Sequence, residues 1–371
     1  MIKRLLVIIL CIFLTGCSNS DKGIIRLKFS TWGSASEMKI LSPIISEYER
    51  QNPNIKIELL HIPQDYFKKL HLLFASNLEP DIVFINNLNL PVYSDRLLEL
   101  SEHINKNEFY PQSIDALSVN NKLYAIPRDV SILVVFYNKN LFNKFGIKYP
   151  DKNWSINDLE NTAKNLSQNG YFGIGYDNNI YPALPFINSF GGDILNKDGL
   201  YIADNKEFKN GIEYYKNLAY KNHYAPTKPQ IGSKMLSQMF LEGKIGMHVS
   251  GRWMVPKYRE SAKFDWDIVN FPNCASPSDA SGWAVSKSSK HKKEALDFVL
   301  YLSTKNNISK MAESGLIIPA RYDVAQSETF LNGKPKHSDL FLHAIKYSHN
   351  TYVNKNYIKD TDILNDKYFQ D

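Results

Sequence analysis

The chain has 371 residues with 43% apolar and 22% charged residues, ordinary globular usage that excludes a disordered or collagen-like chain, and its length predicts two domains. Aromatic residues make up 13% of the chain, an unusually high share that supplies many stacking surfaces. The formal net charge of +6 is mild and is spread without a long basic run, which argues against nucleic acid as a partner.

The beginning of the chain predicts a secretory signal. Lys3 and Arg4 precede an apolar stretch, residues 5–14, that is too short to cross a bilayer as an ordinary transmembrane helix, and small residues follow it. We therefore expect residues 1–16 to be removed on export. Loss of the two cations lowers the formal net charge from +6 to +4.

The end of the signal resembles a bacterial lipoprotein site. The motif "LTGC" at residues 14–17 matches the lipobox, in which cleavage before the cysteine leaves a lipid on it, so Cys17 is expected to carry diacylglycerol. Residues 17–23 are polar and predict a flexible tether at the membrane surface. An uncleaved signal anchor is the alternative. With Cys11 in the signal and Cys17 lipidated, Cys274 is the remaining thiol, which excludes an intramolecular disulfide.

Residues 24–130 predict one α/β lobe. The stretch "IIRLKFSTW" alternates like a strand and ends at Gly33, and apolar residues then recur at helical spacing from Met38 to Tyr48 until Pro53. The next strand is "IKIEL". After a second helix, "EPDIVFIN" is a continuous apolar run, which predicts a strand covered on both faces.

From residue 131 the alternation of strands and helices continues. The strand "SILVVFYNKNLF" leads to a helix with a capping box at Ser155 and Asp158, and helices are expected at 206–221 and 234–242 before the strand "KIGMHVS". The stretches "FDWDIVNFPN" and "GWAVSKSS" and the amphipathic helix "HKKEALDFVLYLS" follow. Because no Gly/Ser linker separates the halves, ordered strands are expected to join them.

Seven stretches resemble the segments of one known family, in its order and at about its spacing. They are "FSTWGS", "EPDIVFIN", "LYAIPRDVSILVVFYNKNLF", "FINSFGGDIL", "FLEGKIGMHVSGRWMVP", "SGWAVSKSSKHKKEALDFVLYLS" and "SGLIIPAR". By these motifs the chain resembles the extracellular solute-binding proteins of bacterial ABC importers, in particular the carbohydrate-binding family that includes maltose-binding protein. The matching stretches extend from residue 14 to about residue 325.

The resemblance implies an α/β, two-lobed periplasmic-binding-protein (Venus-flytrap) fold with a hinge and an interlobe cleft that closes on the solute. On that template residues 24–130 and 268–318 form the N-terminal lobe, and residues 131–267 and 319–371 form the C-terminal lobe. The family usually continues with further helices where this chain ends in a polar, weakly periodic stretch. The C-terminal lobe is therefore expected to be short or incomplete.

Three tryptophans stand at strand ends and are candidates for a sugar site. A pyranose has an apolar face that stacks on flat aromatics and a rim of hydroxyls that planar charged groups bind in pairs. Trp253 follows the strand "KIGMHVS" and has Arg252 beside it as a donor. Trp283, next to Gly282, and Trp32 have comparable positions. For each tryptophan the alternative is packing, and Trp283 in particular would equally fit the core beneath the cleft.

Five further residues complete the predicted ligand site. Asp81 precedes a strand in a loop that the resemblance assigns to the cleft, although a carboxylate there would also cap local amides. Arg128 and Asp129 lie at the first expected crossing between the lobes, where they would bind hydroxyls or pair with each other. Gly191 and Gly192 would let the backbone approach a ligand or form a bare turn.

The resemblance implies a lipid-anchored receptor on the extracytoplasmic face of the cell membrane. It would capture an oligosaccharide or glycoside and deliver it to an ABC permease driven by a separate ATPase, as a monomer without cofactor or metal. Two alternatives stay open. One is a receptor for a polyol phosphate or another small polar solute, for which Arg128 and Arg252 would dominate. The other is a surface-anchored carbohydrate enzyme with two facing carboxylates, although the chain has no G-x-S-x-G, H-E-x-x-H or P-loop motif.

Overall fold

The computed structural model describes residues 23–370, so the predicted signal and Cys17 lie outside the described residues. The strands, β1 to β11, are Ile25–Thr31, Ile55–His61, Ile82–Asn86, Ser118–Val119, Lys122–Leu123, Ile126–Asn138, Phe172–Gly175, Ile245–Gly251, Trp266–Asn270, Ser278–Val285 and Ile318–Pro319. The α-helices, α1 to α17, are Ala35–Gln51, Tyr66–Ala75, Leu90–Tyr93, Pro111–Ala116, Lys139–Lys144, Ile156–Leu166, Ile180–Ser189, Lys206–Tyr220, Lys228–Ile231, Leu236–Leu241, Val255–Ser261, Lys292–Leu302, Lys305–Glu313, Tyr322–Ala325, Glu328–Leu331, Asp339–Tyr347 and Tyr357–Tyr368.

The long strand β6 connects the two halves of the molecule. The main sheet has the order β2-β1-β3-β10-β6-β8-β7, and β9 and β11 also pair with β6. Residues 126–132 of β6 pair with β10, and β11 pairs with β6 at residues 129 and 130. Residues 133–138 pair with β8 and β9. One continuous strand therefore belongs to both lobes, as the absence of a flexible linker in the sequence predicts.

The first lobe is built on the parallel strands β1, β2 and β3, which β10 extends in the antiparallel direction. Leu27, Phe29 and Phe84 are fully buried because helices cover both faces of this sheet. On one face Phe298 of α12 packs against Phe29 and against Tyr48 of α1, with ring centroids 5.8 and 4.8 Å apart. The continuous apolar pattern of β3 thus has the structural cause that its sequence predicts.

The second lobe packs its helices around β7, β8 and the second half of β6. The predicted capping box starts α6: the Asp158 amide donates to Ser155 Oγ at 3.1 Å, and the Ser155 amide donates to Asp158 Oδ2 at 2.8 Å. The last stretch of the chain forms α17, whose Leu364 is fully buried. Asn365 Oδ1 of the same helix accepts a hydrogen bond from the Ile180 amide at 2.8 Å. A helix that the weak periodicity hides thus completes one side of this lobe's core.

One predicted lobe boundary is wrong in position. The boundary at residue 268 falls inside β9, whose residues pair with β6 from Val134 to Asn138 in the second lobe. The chain returns to the first lobe only between β9 and β10, and β10 pairs with β3. Turn-rich sequence between the two strands, residues 271–277, marks the crossing better than the apolar pattern does.

Within residues 23–370, every helix is too short or too polar to cross a membrane, and His, Cys, Asp and Glu side chains form no group suited to a metal ion.

A buried histidine generates a pH-dependent stability. His248 in β8 is almost fully buried, and its Nδ1 lies 2.5 Å from the Tyr258 hydroxyl. Burial, with Lys257 adding to the effect, lowers the pKa of His248 to about 3. The unfolded chain binds this proton near pH 6.5 and the folded chain does not, so folding loses stability as the pH falls from about 6.5 towards 3.

We expect acidification from pH 7 to 5 to lower the free energy of unfolding of the wild type by up to about 2 kcal/mol more than that of His248→Gln. Urea unfolding at each pH measures this difference. His103→Gln, which changes an exposed histidine, should keep the wild-type pH profile. Parallel pH profiles for wild type and His248→Gln would contradict the assignment.

Candidate functional site

A cavity of about 220 Å³ opens beside β6 between the two lobes. Side chains from the loop after β1, from α1, β6 and β10, from the turn after β8, and from β11 and the loop before it surround the cavity. The lining residues are Trp32, Glu37, Arg128, Asp129, Val130, Ser131, Trp253, Ser281, Leu316, Ile317 and Ile318. The cavity thus brings together four of the ten predicted ligand residues: Trp32, Arg128, Asp129 and Trp253.

The two tryptophans of the cavity come from opposite lobes. Trp32 follows β1, and its ring packs on Phe84 at 4.2 Å and on Tyr66 at 5.0 Å between centroids. Trp253 follows β8, and 37% of it is exposed, so part of it is accessible from the cavity that it lines. Its ring lies directly over Gly251, where a Cβ atom would overlap the six-membered ring. Because Gly251 has no side chain, the Trp253 ring can pack directly against the backbone at this position.

The charged floor of the cavity consists of Glu37, Arg128 and Asp129, with Arg128 at its centre. Arg128 Nη1 donates to Glu37 Oε1, and Arg128 Nε donates to Asp129 Oδ2. The guanidinium carbon also lies 4.1 Å from the centroid of the Phe84 ring. Arg128 is thus held by two carboxylates and an aromatic face, with only 12% of its side chain exposed.

A β-bulge aims Arg128 at the cavity. In the pairing of β6 with β10, Asp129 faces Ser281 and Pro127 faces Gly282, so Arg128 is the extra residue. Its carbonyl is satisfied from the other side by the Ala320 amide at 3.1 Å. A Cβ at Gly282 would overlap the carbonyl oxygen of Ile126 in β6, so the glycine permits this close approach of the two strands. Gly282 supports the site from behind and does not line the cavity.

The charges of the floor do not cancel. Burial opposes ionisation of Arg128, but Asp129 and Glu37 outweigh it and raise the pKa of the guanidinium. Burial, together with the negative charge of Glu37, raises the pKa of Asp129 against the pull of Arg128. One cation thus faces two carboxyl groups.

Glu37 was not predicted, because its local sequence indicates another role. It is the third residue of α1, and its amide donates to the N-cap Ser34 Oγ at 3.2 Å. A glutamate at this position ordinarily completes a capping box. Here the side chain instead binds Arg128, 91 residues away in sequence. No local pattern reports a partner at that distance.

A group of buried polar side chains lies next to Ser131, another residue that sequence reasoning missed. Ser131 faces Asp279 across the β6–β10 ladder, and Tyr181 of α7 has its hydroxyl near both. Asn87 Nδ2 donates to Asp279 Oδ1 at 2.9 Å. Burial raises the pKa of Asp279, which has no cationic partner among the described residues. A buried acid therefore backs the cavity.

Trp283 and Arg252 lie in the core and not in the cavity. Trp283 is 2% exposed and lines a void of about 20 Å³ behind Arg128, so the alternative of core packing describes it. The guanidinium of Arg252 stacks on Phe330 at 3.9 Å and donates to the Phe330 carbonyl at 3.4 Å. Burial, with Arg259 adding to it, lowers the pKa of Arg252 to about 9. The turn after β8 sends Arg252 and Trp253 in opposite directions.

Asp81 and the glycine pair also lie elsewhere. Asp81 lies just before β3, at the end of the strand that is farther from the cavity. It accepts hydrogen bonds from the Lys28 amide at 2.9 Å and from Ser289 Oγ at 2.6 Å. Gly191 follows α7 with a positive φ of 78° and faces open space. A Cβ at Gly192 would lie 2.6 Å from the backbone of Phe208 in α8, so this glycine allows the turn after α7 to lie against the first turn of α8.

A wider groove of about 670 Å³ lies next to the aromatic group around Trp32. Tyr66 and Phe67 of α2 line one side of it, and Ile358 of α17 lines the other. The same two aromatics contact Trp32 with centroid distances of 5.0 and 5.2 Å. The groove and the cavity therefore adjoin through these rings.

This geometry agrees with the comparisons to known proteins. Residues 44–336 match the family model of bacterial extracellular solute-binding proteins, and the chain belongs to that family. A binding protein of Brucella abortus is 23% identical over 343 residues, which cover 85% of this chain and 80% of that protein. The galactooligosaccharide-binding protein of Bacillus subtilis is 22% identical over 341 residues, 86% of this chain and 78% of that protein.

A solved structure confirms the two-lobed fold. The chain is similar to an ABC substrate-binding protein from Listeria monocytogenes in complex with cycloalternan, with a TM-score of 0.84 and 23% identity. The match covers 93% of this chain and 92% of the other. The α/β, two-lobed periplasmic-binding-protein fold predicted from the sequence is thereby confirmed.

Proposed function

We propose that this protein is the solute-binding component of an ABC importer that captures a carbohydrate, an oligosaccharide or glycoside, between its lobes. It would deliver the sugar to a membrane permease driven by a separate ATPase. The observation that carries the proposal is the pair Trp32 and Trp253, which approach one cavity from opposite lobes above a floor of hydrogen-bonding groups.

The lining matches the two surfaces of a pyranose. Indole rings offer flat apolar faces for the C–H side of the sugar, and Leu316, Ile317 and Ile318 extend that apolar surface. Carboxylate oxygens of Glu37 and Asp129 accept hydrogen bonds from hydroxyls, which are donors as well as acceptors. Because the tryptophans belong to different lobes, closure of the hinge would bring the second ring onto a sugar already seated on the first.

The adjoining groove supports a ligand longer than one ring. The cavity alone, at about 220 Å³, is smaller than the usual range of small-molecule sites, about 300–1,000 Å³. The groove adds about 670 Å³ beside the aromatic group of Tyr66 and Phe67. One relative is named as a galactooligosaccharide-binding protein, and the structurally similar Listeria protein was solved in complex with cycloalternan.

The two alternatives to a sugar receptor have less support. A phosphate would need free arginine donors, but Arg128 is occupied by Glu37 and Asp129, and Arg252 lies in the core. A glycosidase would need a carboxyl group free to act as a general acid, whereas the two carboxylates of the floor share Arg128. Both arrangements favour binding of a hydroxyl-rich ligand without a phosphate group over phosphate capture or hydrolysis.

Residues 18–371 should gain thermal stability from at least one saccharide in a panel of mono- and oligosaccharides. A ligand bound only by the folded state raises its stability by about 2.7 kcal/mol at a hundredfold excess over Kd. Differential scanning fluorimetry with the panel, and with glycerol 3-phosphate for comparison, measures the shift. A cooperative melt that no saccharide moves would refute the carbohydrate proposal, and a shift with the phosphate alone would favour the alternative.

Trp253→Ala should weaken binding of the saccharide found in that panel by about tenfold or more, because a free stacking face is lost. Gly251→Ala should weaken it similarly, since its Cβ would displace the Trp253 ring while the φ of −102° suits alanine. Isothermal titration calorimetry gives both affinities. Tyr220→Ala removes a comparably exposed ring outside the cavity and should bind as the wild type does. Unchanged affinity in both tryptophan-site variants would contradict the stacking role.

We infer that Cys17 anchors the protein by a lipid on the extracytoplasmic face, in keeping with an extracellular family. In a bacterial host, the wild type should fractionate with membranes and incorporate labelled palmitate. Cys17→Ser should do neither, because serine has no sulfur atom with which to form the thioether to the lipid. Cys274→Ser is the matched control and should keep the label; a labelled Cys17→Ser protein would disprove the anchor.

A further inference from the structure

We propose that the cavity prefers a saccharide bearing a protonated amino group over its neutral counterpart, and that it rejects anionic sugars. This inference rests on the proposed function and names the class of sugar. It follows from the balance of charge and of hydrogen-bonding capacity around the floor.

The cavity has more acid than base. Its lining contains one cation, Arg128, and two carboxylates, Glu37 and Asp129, within the described part of the chain. Their side chains are 12, 13 and 8% exposed, so water screens them poorly. One negative charge is left without a partner in a confined space. A ligand cation would neutralise it, whereas a ligand anion would add to it.

After the ion pairs with Arg128 are made, the floor still has free hydrogen-bond acceptors. Each carboxylate uses one oxygen for Arg128, and neither Glu37 Oε2 nor Asp129 Oδ1 accepts a hydrogen bond from residues 23–370. Both oxygens keep some exposure to solvent, since neither belongs to the buried unpaired atoms. An ammonium group has three donors and no acceptor, so it satisfies two such oxygens and compensates their charge at once. A hydroxyl supplies a single donor without charge.

The surroundings of the floor strengthen this preference. Asp279 lies opposite Ser131 in the β6–β10 ladder, where it is buried and held by Asn87 without a cationic partner among the described residues. The other nearby arginine, Arg252, is turned into the core and bound to Phe330, so its charge does not face the ligand. The described residues on this side of the cavity thus add a further acid, Asp279, and no further cation that faces the ligand.

Three glucose derivatives test the preference at a constant ring: D-glucosamine, N-acetyl-D-glucosamine and D-glucose 6-phosphate, with D-glucose as the neutral reference. Near pH 6 the amine is protonated, as an α-amino group is. Calorimetry at low salt should show glucosamine bound at least about tenfold more tightly than glucose and the N-acetyl derivative, with the phosphate weakest. The advantage of the amine should shrink with added NaCl, because salt screens a charge pair.

Glu37→Gln tests the cause of the preference. It leaves Arg128 paired with Asp129 and the floor neutral, so the advantage of glucosamine over glucose should fall to about twofold or less. Asp129→Asn removes the other negative charge of the floor. It replaces Glu37→Gln as the test if that variant has a much lower melting temperature than the wild type. Tyr220→Ala should keep the full wild-type preference.

The outcomes separate the two proposals. Neutral sugars that bind as tightly as glucosamine, or a preference that both variants keep, would overturn the inference and leave the sugar receptor standing. Failure of every saccharide in the wider panel to bind would overturn the proposed function, and the inference with it.

Discussion

The structure depends on one strand that two lobes share. β6 keeps a single β conformation over 13 residues, and its first and second halves form ladders with different partner strands. Because its amides and carbonyls are paired on both sides of the crossing, the joint between the lobes is part of a sheet. The same strand carries Arg128 and Asp129 in its first half, a few residues before its partners change, so it provides both the connection of the lobes and part of the cavity floor.

The three charged residues of the floor, Glu37, Arg128 and Asp129, depend on one another for stability. Arg128 is nearly buried, and removing one partner of a buried ion pair typically costs about 3–5 kcal/mol because the other charge is left uncompensated. The bulge that turns Arg128 inward requires the missing side chain of Gly282, and Glu37 must come from a helix of the first lobe to complete the group. Backbone irregularity, a glycine and a long-range ion pair thus act together to place one guanidinium.

The sequence was sufficient for the order of elements and for the residues at strand ends, because period, capping and turn signals are local. Trp32 and Trp253 follow apolar strands, and both line the cavity. The same local signals could not separate Trp253 from Arg252, since the direction of adjacent side chains in a turn depends on tertiary packing. Glu37 was missed for a related reason: its partner lies 91 residues away, and its own neighbourhood indicates helix capping.

The packing of the Trp253 ring on Gly251 has a consequence for the kinetics of solute binding. An indole that is already laid against its own backbone has lost its rotamer freedom before a solute arrives, so that entropy is not lost again on binding. The floor, in contrast, belongs to the first lobe and is accessible while the lobes are apart. Encounter at the floor would then set the association rate, and the arrival of a rigid ring from the second lobe would set the residence time.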